Sequence, residues 1–257
     1  MKRLALRALL TAAVPLLLAA CATSGAPVED DTAARRAAQT NTELGRQYIA
    51  RGDYEIALDK LKRAIAHDKT YAPAHTVLAY LYERIGDKKM AAKEYREALK
   101  YDPDDGSVNN NFGAFLCAEG KWSEAELYFK RAVDDRFYET PALALSNAGL
   151  CALNAGDLDK AENYLRQSIE YDENMPASLL ALGKLNYQRG QYLRARAFLQ
   201  RYEAVASHTE ESLEQAYRVE KAMGDDEAAA EYRRQLLEQF PNSRAARSIV
   251  REDGQIQ

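Results

Sequence analysis

The sequence predicts an all-α protein, a right-handed superhelical solenoid of six helix-turn-helix repeats closed by a short C-terminal capping helix. Turn-marking glycines recur every 34 to 36 residues, at Gly52, Gly86, Gly120, Gly156, Gly190 and Gly224. Alanines follow five residues after each of them, at Ala57, Ala91, Ala125, Ala161, Ala195 and Ala229. Glycines and alanines that recur with the same spacing indicate an array of repeats. In such an array each helix pair can bury its apolar face only against its neighbours.

The composition agrees with a helical protein. Ala, Leu, Glu, Lys and Arg are abundant, and the 257 residues include only seven prolines and 13 glycines. Straight-chain residues lose little rotamer freedom in a helix, whereas proline and glycine interrupt it. The net charge is −4 and no basic run stands out, which argues against a nucleic-acid partner.

The start of the chain differs from the rest. Three basic residues precede an uncharged apolar run over residues 8–20, which ends directly at Cys21. A basic start, a short apolar core and small residues are typical of a secretory signal peptide, and the run is too short for a transmembrane helix. We predict a signal peptide over residues 1–20 that is removed on export. Such a segment can be an ordinary secretory signal peptide, in which Cys21 has no role, or a lipoprotein signal, in which Cys21 is modified.

The run Leu18-Ala19-Ala20-Cys21 resembles the bacterial lipobox. The resemblance implies that Cys21 is lipidated with diacylglycerol and palmitate and anchors the protein, each buried methylene contributing about 0.8 kcal/mol. Ala22 follows, where lipoproteins kept at the inner membrane often have Asp, so the resemblance implies the outer membrane. Residues 21–37, which follow the signal peptide, are small, polar and acidic, and we predict a flexible tether there. Cleavage would lower the net charge from −4 to −7, because residues 1–20 carry three positive charges and no negative one.

We expect the repeats to occupy residues 38–241. Seven residues before the turn, five repeats have a small residue that lets their two helices approach closely: Gly45, Ala79, Gly113, Gly149 and Gly183. The sixth repeat has Tyr217 instead, so its helices should pack less closely. The third repeat is two residues longer around residues 134–141, and we place the extra length in its exit loop or in an extra half turn.

The segment 242–257 is expected to close the array. Asn242 and Ser243 follow a proline and can cap a short helix that runs to about Val250 and covers the last apolar face. Residues 251–257 are expected to fray. The recurring turn glycines, alanines and small residues together resemble the tetratricopeptide repeat. The match covers most of residues 38–241.

The sequence contains no recognisable catalytic constellation. His67, His75 and His208 are the only histidines, and none has a partner at metal-ligand spacing. Nucleotide-binding and hydrolase motifs are absent from the sequence, and the carboxylates follow the solvent faces of the predicted helices. We therefore predict a protein that is not an enzyme and has neither a metal nor a cofactor.

Cys117 and Cys151 lie on the first helices of repeats three and four, which stack side by side. In a reducing compartment they would be buried apolar residues, but the export signal favours the periplasm, where disulfides form. We predict a Cys117–Cys151 disulfide. Thiol labelling of the denatured protein without reductant tests this prediction, since full labelling of both cysteines would contradict it.

The first helices of such a solenoid line its concave face, where a protein partner would bind. Amides there can bond to the backbone of an extended peptide, and apolar residues select its side chains. The residues predicted to contact a partner are Thr76, Val77, Tyr80, Asn110, Asn111 and Asn147. For Asn111 and Asn147 the alternative is hydrogen bonding between repeats. This groove is predicted to lack the Lys/Arg set with which chaperone-binding relatives grip a C-terminal carboxylate.

The run from Asn109 to Gly120, with its Asn-Asn-Phe-Gly-Ala-Phe-Leu-Cys core, resembles the type IV pilus biogenesis lipoproteins, the PilF/PilW pilotins. The lipobox before six repeats, the second cysteine at Cys151, and the run of Leu44-Gly45 and Tyr48 resemble the same family. Phe112 departs mildly, because tyrosine is expected there.

The resemblance implies a lipid-anchored protein on the periplasmic face of the outer membrane. It would bind the type IV pilus secretin subunit and promote its outer-membrane localisation and multimer assembly, as pilus (fimbrium) biogenesis and twitching motility require. We expect a monomer. The alternative is another periplasmic tetratricopeptide-repeat lipoprotein, one that scaffolds cell-wall enzymes or barrel assembly.

Overall fold

The computed structural model describes residues 28–254, with side chains for residues 32–251. Within that range thirteen helices follow one another: α1 (Val28–Arg51), α2 (Tyr54–His67), α3 (Ala72–Arg84), α4 (Lys88–Tyr101), α5 (Gly106–Ala118), α6 (Trp122–Asp134), α7 (Pro141–Asn154), α8 (Leu158–Tyr171), α9 (Pro176–Gln188), α10 (Tyr192–Val205), α11 (Glu210–Met223), α12 (Asp226–Gln239) and α13 (Arg244–Gly254). The helices pair in sequence as six helix-turn-helix repeats, and α13 packs against the last pair. The predicted all-α array with a capping helix is confirmed.

The turns inside the six repeats share a glycine with the same backbone conformation. All six turn glycines have left-handed backbone angles, with φ between 70° and 83°, a region that residues with a Cβ resist. In four repeats the next residue is aspartate, and at Asp87 its side chain accepts a hydrogen bond from the Met90 amide at 3.0 Å. The carboxylate satisfies an amide at the start of the second helix, where negative charge is favourable. In the three repeats where this aspartate caps the second helix, at Asp87, Asp157 and Asp225, the Gly-Asp pair ends one helix and begins the next.

The predicted close approach of the two helices within a repeat is present. A Cβ added at Gly149 would lie 2.6 Å from Cγ of Leu165, which is fully buried. The same 16-residue relation joins Gly45 to Leu61, Gly113 to Phe129 and Gly183 to Leu199. In the sixth repeat Tyr217 is buried in a cluster that includes Ile249 of α13, so the large side chain there fills space beneath the capping helix.

Gly149→Val is expected to lower the free energy of unfolding by about 2–3 kcal/mol, because the added carbons overpack a site that Leu165 already fills. A urea unfolding curve measures the change. Ser123→Ala, on the exposed start of α6, is the control and is expected to change stability by less than about 0.5 kcal/mol. Equal stability of the glycine variant and the wild type would show that these helices are not held at this distance.

The two extra residues of the third repeat lie in its exit loop. This loop spans residues 135–140, whereas the other exit loops have four residues. Asp135 anchors it by accepting a hydrogen bond from the Gly106 amide at 2.8 Å, while the Phe137 side chain is 93% exposed. Of the two placements that the sequence allows, the exit loop is right and the extra half turn is wrong.

The two ends of the array differ from the predicted bounds. Because α1 begins at Val28, the flexible tether is wrong for residues 28–37. Arg35 joins this helix to the first exit loop through a 2.7 Å ion pair with Asp68. At the other end Ser243 caps α13 as predicted, its hydroxyl accepting from the Ala246 amide at 3.0 Å. The helix continues to Gly254, so the predicted fraying is wrong for residues 251–254.

Residues 1–20 and Cys21 lie outside the described residues, so the signal peptide and the lipidation site stay predictions. Among the described helices, none is long and apolar enough to cross a membrane.

Candidate functional site: a cleft on the first helices

A cleft of about 440 Å³ lies on the first helices of repeats one to three. Helices α1, α3 and α5 supply its walls, since they stack side by side along the array. The lining residues are Arg46, Ile49, Ala50, Thr76, Val77, Tyr80, Arg84 and Asn111. The cleft is the place where the predicted concave face offers room for a partner side chain.

The floor of the cleft is apolar and its edges are polar. Ile49 and Val77 form part of the floor and are only 8% and 4% exposed, whereas the Tyr80 ring is 46% exposed. The Asn111 amide nitrogen donates to the Ser107 carbonyl at 2.9 Å, which leaves its oxygen as an acceptor beside the cleft. An apolar floor with a few placed polar groups is the usual construction of a peptide-binding groove.

Two arginines give the cleft a positive edge. Arg46 and Arg84 are both exposed, and Arg84 donates to the Tyr54 hydroxyl at 3.4 Å. This hydrogen bond raises the pKa of Arg84, and an arginine guanidinium is charged throughout the physiological pH range in any case. Arg46 and Arg84 are basic residues that the sequence analysis does not place in the groove. The absence of the Lys/Arg set that grips a C-terminal carboxylate stays a prediction.

The structure brings four of the six predicted partner-binding residues together. Thr76, Val77, Tyr80 and Asn111 line the one cleft. Sequence reasoning misses the α1 wall, although the repeat register contains the signal. Arg46 stands six residues before its turn glycine, as Tyr80 does, and Ala50 stands two residues before it, as Arg84 does.

Asn110 and Asn147 have a different role. The Asn147 side chain donates to the Asn110 side-chain oxygen at 3.0 Å, from α7 to α5, and Asn110 is only 5% exposed. The Asn110 side-chain oxygen is therefore engaged between repeats, and a contact of Asn110 with a partner stays a prediction. The alternative that the sequence leaves open, a hydrogen bond between repeats, describes Asn147. It does not describe Asn111, whose bond stays within α5.

Cys117 and Cys151 form a disulfide bond in the structure, with their Cα atoms 5.8 Å apart. It joins α5 to α7, the same two helices that the asparagine pair connects. Cys151 packs in a buried cluster with Phe112 and Phe115. The oxidation state in the cell stays a prediction, with thiol labelling as its test.

Nothing in the described part of the chain is arranged for metal chemistry, since no group of three or more His, Cys, Asp or Glu side chains there could hold a metal ion. His75 is buried against Glu94 and does not line the cleft, and its partners are structural. The polar groups of the cleft can recognise a ligand through hydrogen bonds and charge, and they form no nucleophile–base pair.

Comparison with known proteins agrees with this architecture. Family models described as tetratricopeptide repeat match residues 48–109, 116–168 and 152–211. The type IV pilus assembly protein PilF of Pseudomonas aeruginosa is 30% identical over 239 residues, which cover 92% of this chain and 95% of the relative. An uncharacterised protein of Haemophilus influenzae is 30% identical over 158 residues, which cover 62% of this chain and 87% of that protein.

Two solved structures are similar along most of the chain. The crystal structure of PilW, described as a widely conserved type IV pilus biogenesis factor, matches with a TM-score of 0.76 and 29% identity and covers 83% of this chain and 98% of that one. The structure of Pseudomonas aeruginosa PilF matches with a TM-score of 0.78 and 29% identity and covers 86% and 99%. The chain therefore belongs to the PilF/PilW family of tetratricopeptide-repeat proteins of type IV pilus biogenesis.

Proposed function

We propose that the chain is a pilotin, a lipoprotein scaffold that binds the type IV pilus secretin subunit and promotes its outer-membrane localisation and multimer assembly. The likeness to PilF along nearly the whole length of both chains carries this proposal. A scaffold of this kind acts by binding alone, and the repeat array offers a preformed concave surface for it.

The cleft on α1, α3 and α5 is the proposed contact surface for the secretin subunit. Its apolar floor can take an aliphatic or aromatic side chain, and the Asn111 oxygen can accept a hydrogen bond from a peptide amide. The position also suits the task, because α1 is the first described helix after Cys21. A partner in this cleft would lie at the membrane-anchored end of the array.

Val77→Glu is expected to weaken secretin binding by at least about tenfold, because it places an unpaired charge on the apolar floor. The matched control is Leu193→Ala, a change to an exposed apolar residue on α10, which is expected to leave binding unchanged. Both variants are compared with the wild type in restoring heat-resistant secretin multimers and twitching to a deletion strain. Full restoration by Val77→Glu would show that the cleft is not the contact surface for the secretin subunit. Intact multimers in the deletion strain would refute the proposed function itself.

Cys21→Ser is expected to abolish lipidation and so to leave the secretin subunit away from the outer membrane, if the anchor carries the complex there. Membrane fractionation of both proteins measures the effect, with Ser24→Ala in the same segment as the control. Normal secretin localisation with the Cys21 variant would show that the repeat array acts without the anchor.

A further inference from the structure

In the part of the chain that the structure describes, no carboxylate engages Arg46 or Arg84, whereas two basic residues at the repeat position of Arg46 are ion-paired. Arg46 occupies the same place in its repeat as Lys184 and Arg218, six residues before the turn glycine. Lys184 pairs with Glu211, and Arg218 pairs with Glu214 at 2.9 Å. Within the described residues, no ion pair within 4.0 Å is formed by either arginine of the cleft.

The charge at the edge of the cleft is also opposite in sign to the net charge of the whole molecule. The chain has 39 acidic and 35 basic residues, yet the cleft is lined by two arginines and no carboxylate. An exposed guanidinium beside an apolar floor offers a planar set of donors that matches a carboxylate. The missing partner is therefore expected to come from the ligand.

We propose that the cleft selects an extended peptide segment in which an acidic side chain stands beside an apolar one, with Arg46 and Arg84 binding the carboxylate and the Ile49–Val77 floor taking the apolar side chain. This inference deepens the proposed function, on which it rests, by naming the kind of secretin segment that the cleft recognises. In this proposal the acidic group belongs to an internal residue, so that the segment can run on along the lining to Asn111 on α5.

The test is a selection of random peptides, each followed by an invariant amidated linker, against the full chain and against the Arg46→Gln/Arg84→Gln variant. Peptides that bind the wild type are expected to share an acidic residue next to an aliphatic or aromatic one. The best peptide should bind the double variant about tenfold or more weakly, as expected for the loss of charge-assisted hydrogen bonds. Lys184→Gln, which removes a paired cation at the same repeat position, is the matched control and should leave binding unchanged.

A double-mutant cycle then assigns the contact. Replacing the acidic residue of the best peptide by its amide should cost as much as replacing the arginines, and the two changes together should cost little more than one alone. Peptides without an acidic residue, equal binding to the double variant, or no binding peptide at all would overturn the inference. A free carboxyl terminus that restores binding to an amide-substituted peptide would also overturn it, in favour of terminal recognition.

The outcome can be separated from that of the proposed function. Binding of the purified secretin subunit to the full chain is measured in parallel, with the same arginine variants. If selected acidic peptides bind through the arginines but the secretin subunit does not bind, the proposed partner is wrong and the specificity of the cleft stands. If the secretin subunit binds the wild type and the arginine variants equally, the inference fails and the proposed function stands.

Discussion

Glu94→Leu is expected to lower the free energy of unfolding by about 3–5 kcal/mol, the usual cost of removing one partner of a buried ion pair. The Glu94 carboxylate lies 2.8 Å from Nδ1 of His75, and the two side chains are only 9% and 7% exposed. Nε2 of the same ring lies 3.0 Å from the Lys69 carbonyl oxygen. Because both ring nitrogens face acceptors, the protonated ring can donate to both of them.

This pair makes the second repeat sensitive to pH. Burial by itself lowers the pKa of His75, but the hydrogen bonds to Glu94 and to the Lys69 carbonyl, with the nearby charge of Glu97, raise it above its ordinary value. A raised pKa in the folded state means that the pair stabilises fully below about pH 6.5, the pKa of an unperturbed histidine, and that this contribution is lost as the pH rises through the folded-state pKa.

Urea unfolding at about pH 5.5 and about pH 8.5 measures both effects, since these values lie on either side of the ordinary histidine pKa. The stability gap between wild type and Glu94→Leu should be larger at the lower pH. His75→Leu/Glu94→Leu should recover much of the loss, because an apolar pair leaves no buried charge unpaired. Glu139→Gln, a change to an exposed carboxylate in the exit loop over residues 135–140, is the control. A gap that does not change with pH would contradict the ionised pair.

The sequence predicts the features that repeat, and it fails where a contact depends on one particular pair. The turn glycines recur in all six repeats and the small residues of the first helices in five, so the amino-acid sequence alone is enough to count the repeats. The His75–Glu94 pair has no such signal. Its two residues are 19 positions apart on different helices, and neither the next repeat nor the previous one has a histidine at the equivalent position.

The sequence predicts one wall of the candidate site and misses the other. Tyr80 and Asn111 can be found because the first helices of repeats two and three carry conspicuous aromatic and amide residues. Arg46 and Ala50 belong to α1, which begins ten residues before its predicted start. Their place in the cleft can be recognised only when their distances from the turn glycine are compared with those of the α3 residues. The Asn110–Asn147 bond cannot be distinguished from a partner contact by sequence, because an amide suits a groove and a repeat interface equally.

The Cys117→Ala/Cys151→Ala variant is expected to lose about 3–4 kcal/mol of stability, because the bond closes a long loop in the unfolded chain. The sequence separation of the two cysteines is 34 residues. In an array whose stability is approximately a sum of repeats and their interfaces, the loss falls on the boundary between repeats three and four. Thermal unfolding with and without reductant measures it, and hydrogen exchange locates it on α5 to α8.

The reductant supplies the control within one experiment. It should lower the unfolding temperature of the wild type towards that of the double variant and should leave the double variant unchanged. A wild type that is insensitive to reductant would contradict the disulfide. The same boundary also contains the Asn110–Asn147 hydrogen bond, so Asn147→Ala should cost a different amount with the disulfide present than without it. Neighbouring groups that share an interface normally couple. If the two losses add strictly, the disulfide and the Asn110–Asn147 hydrogen bond stabilise the boundary independently.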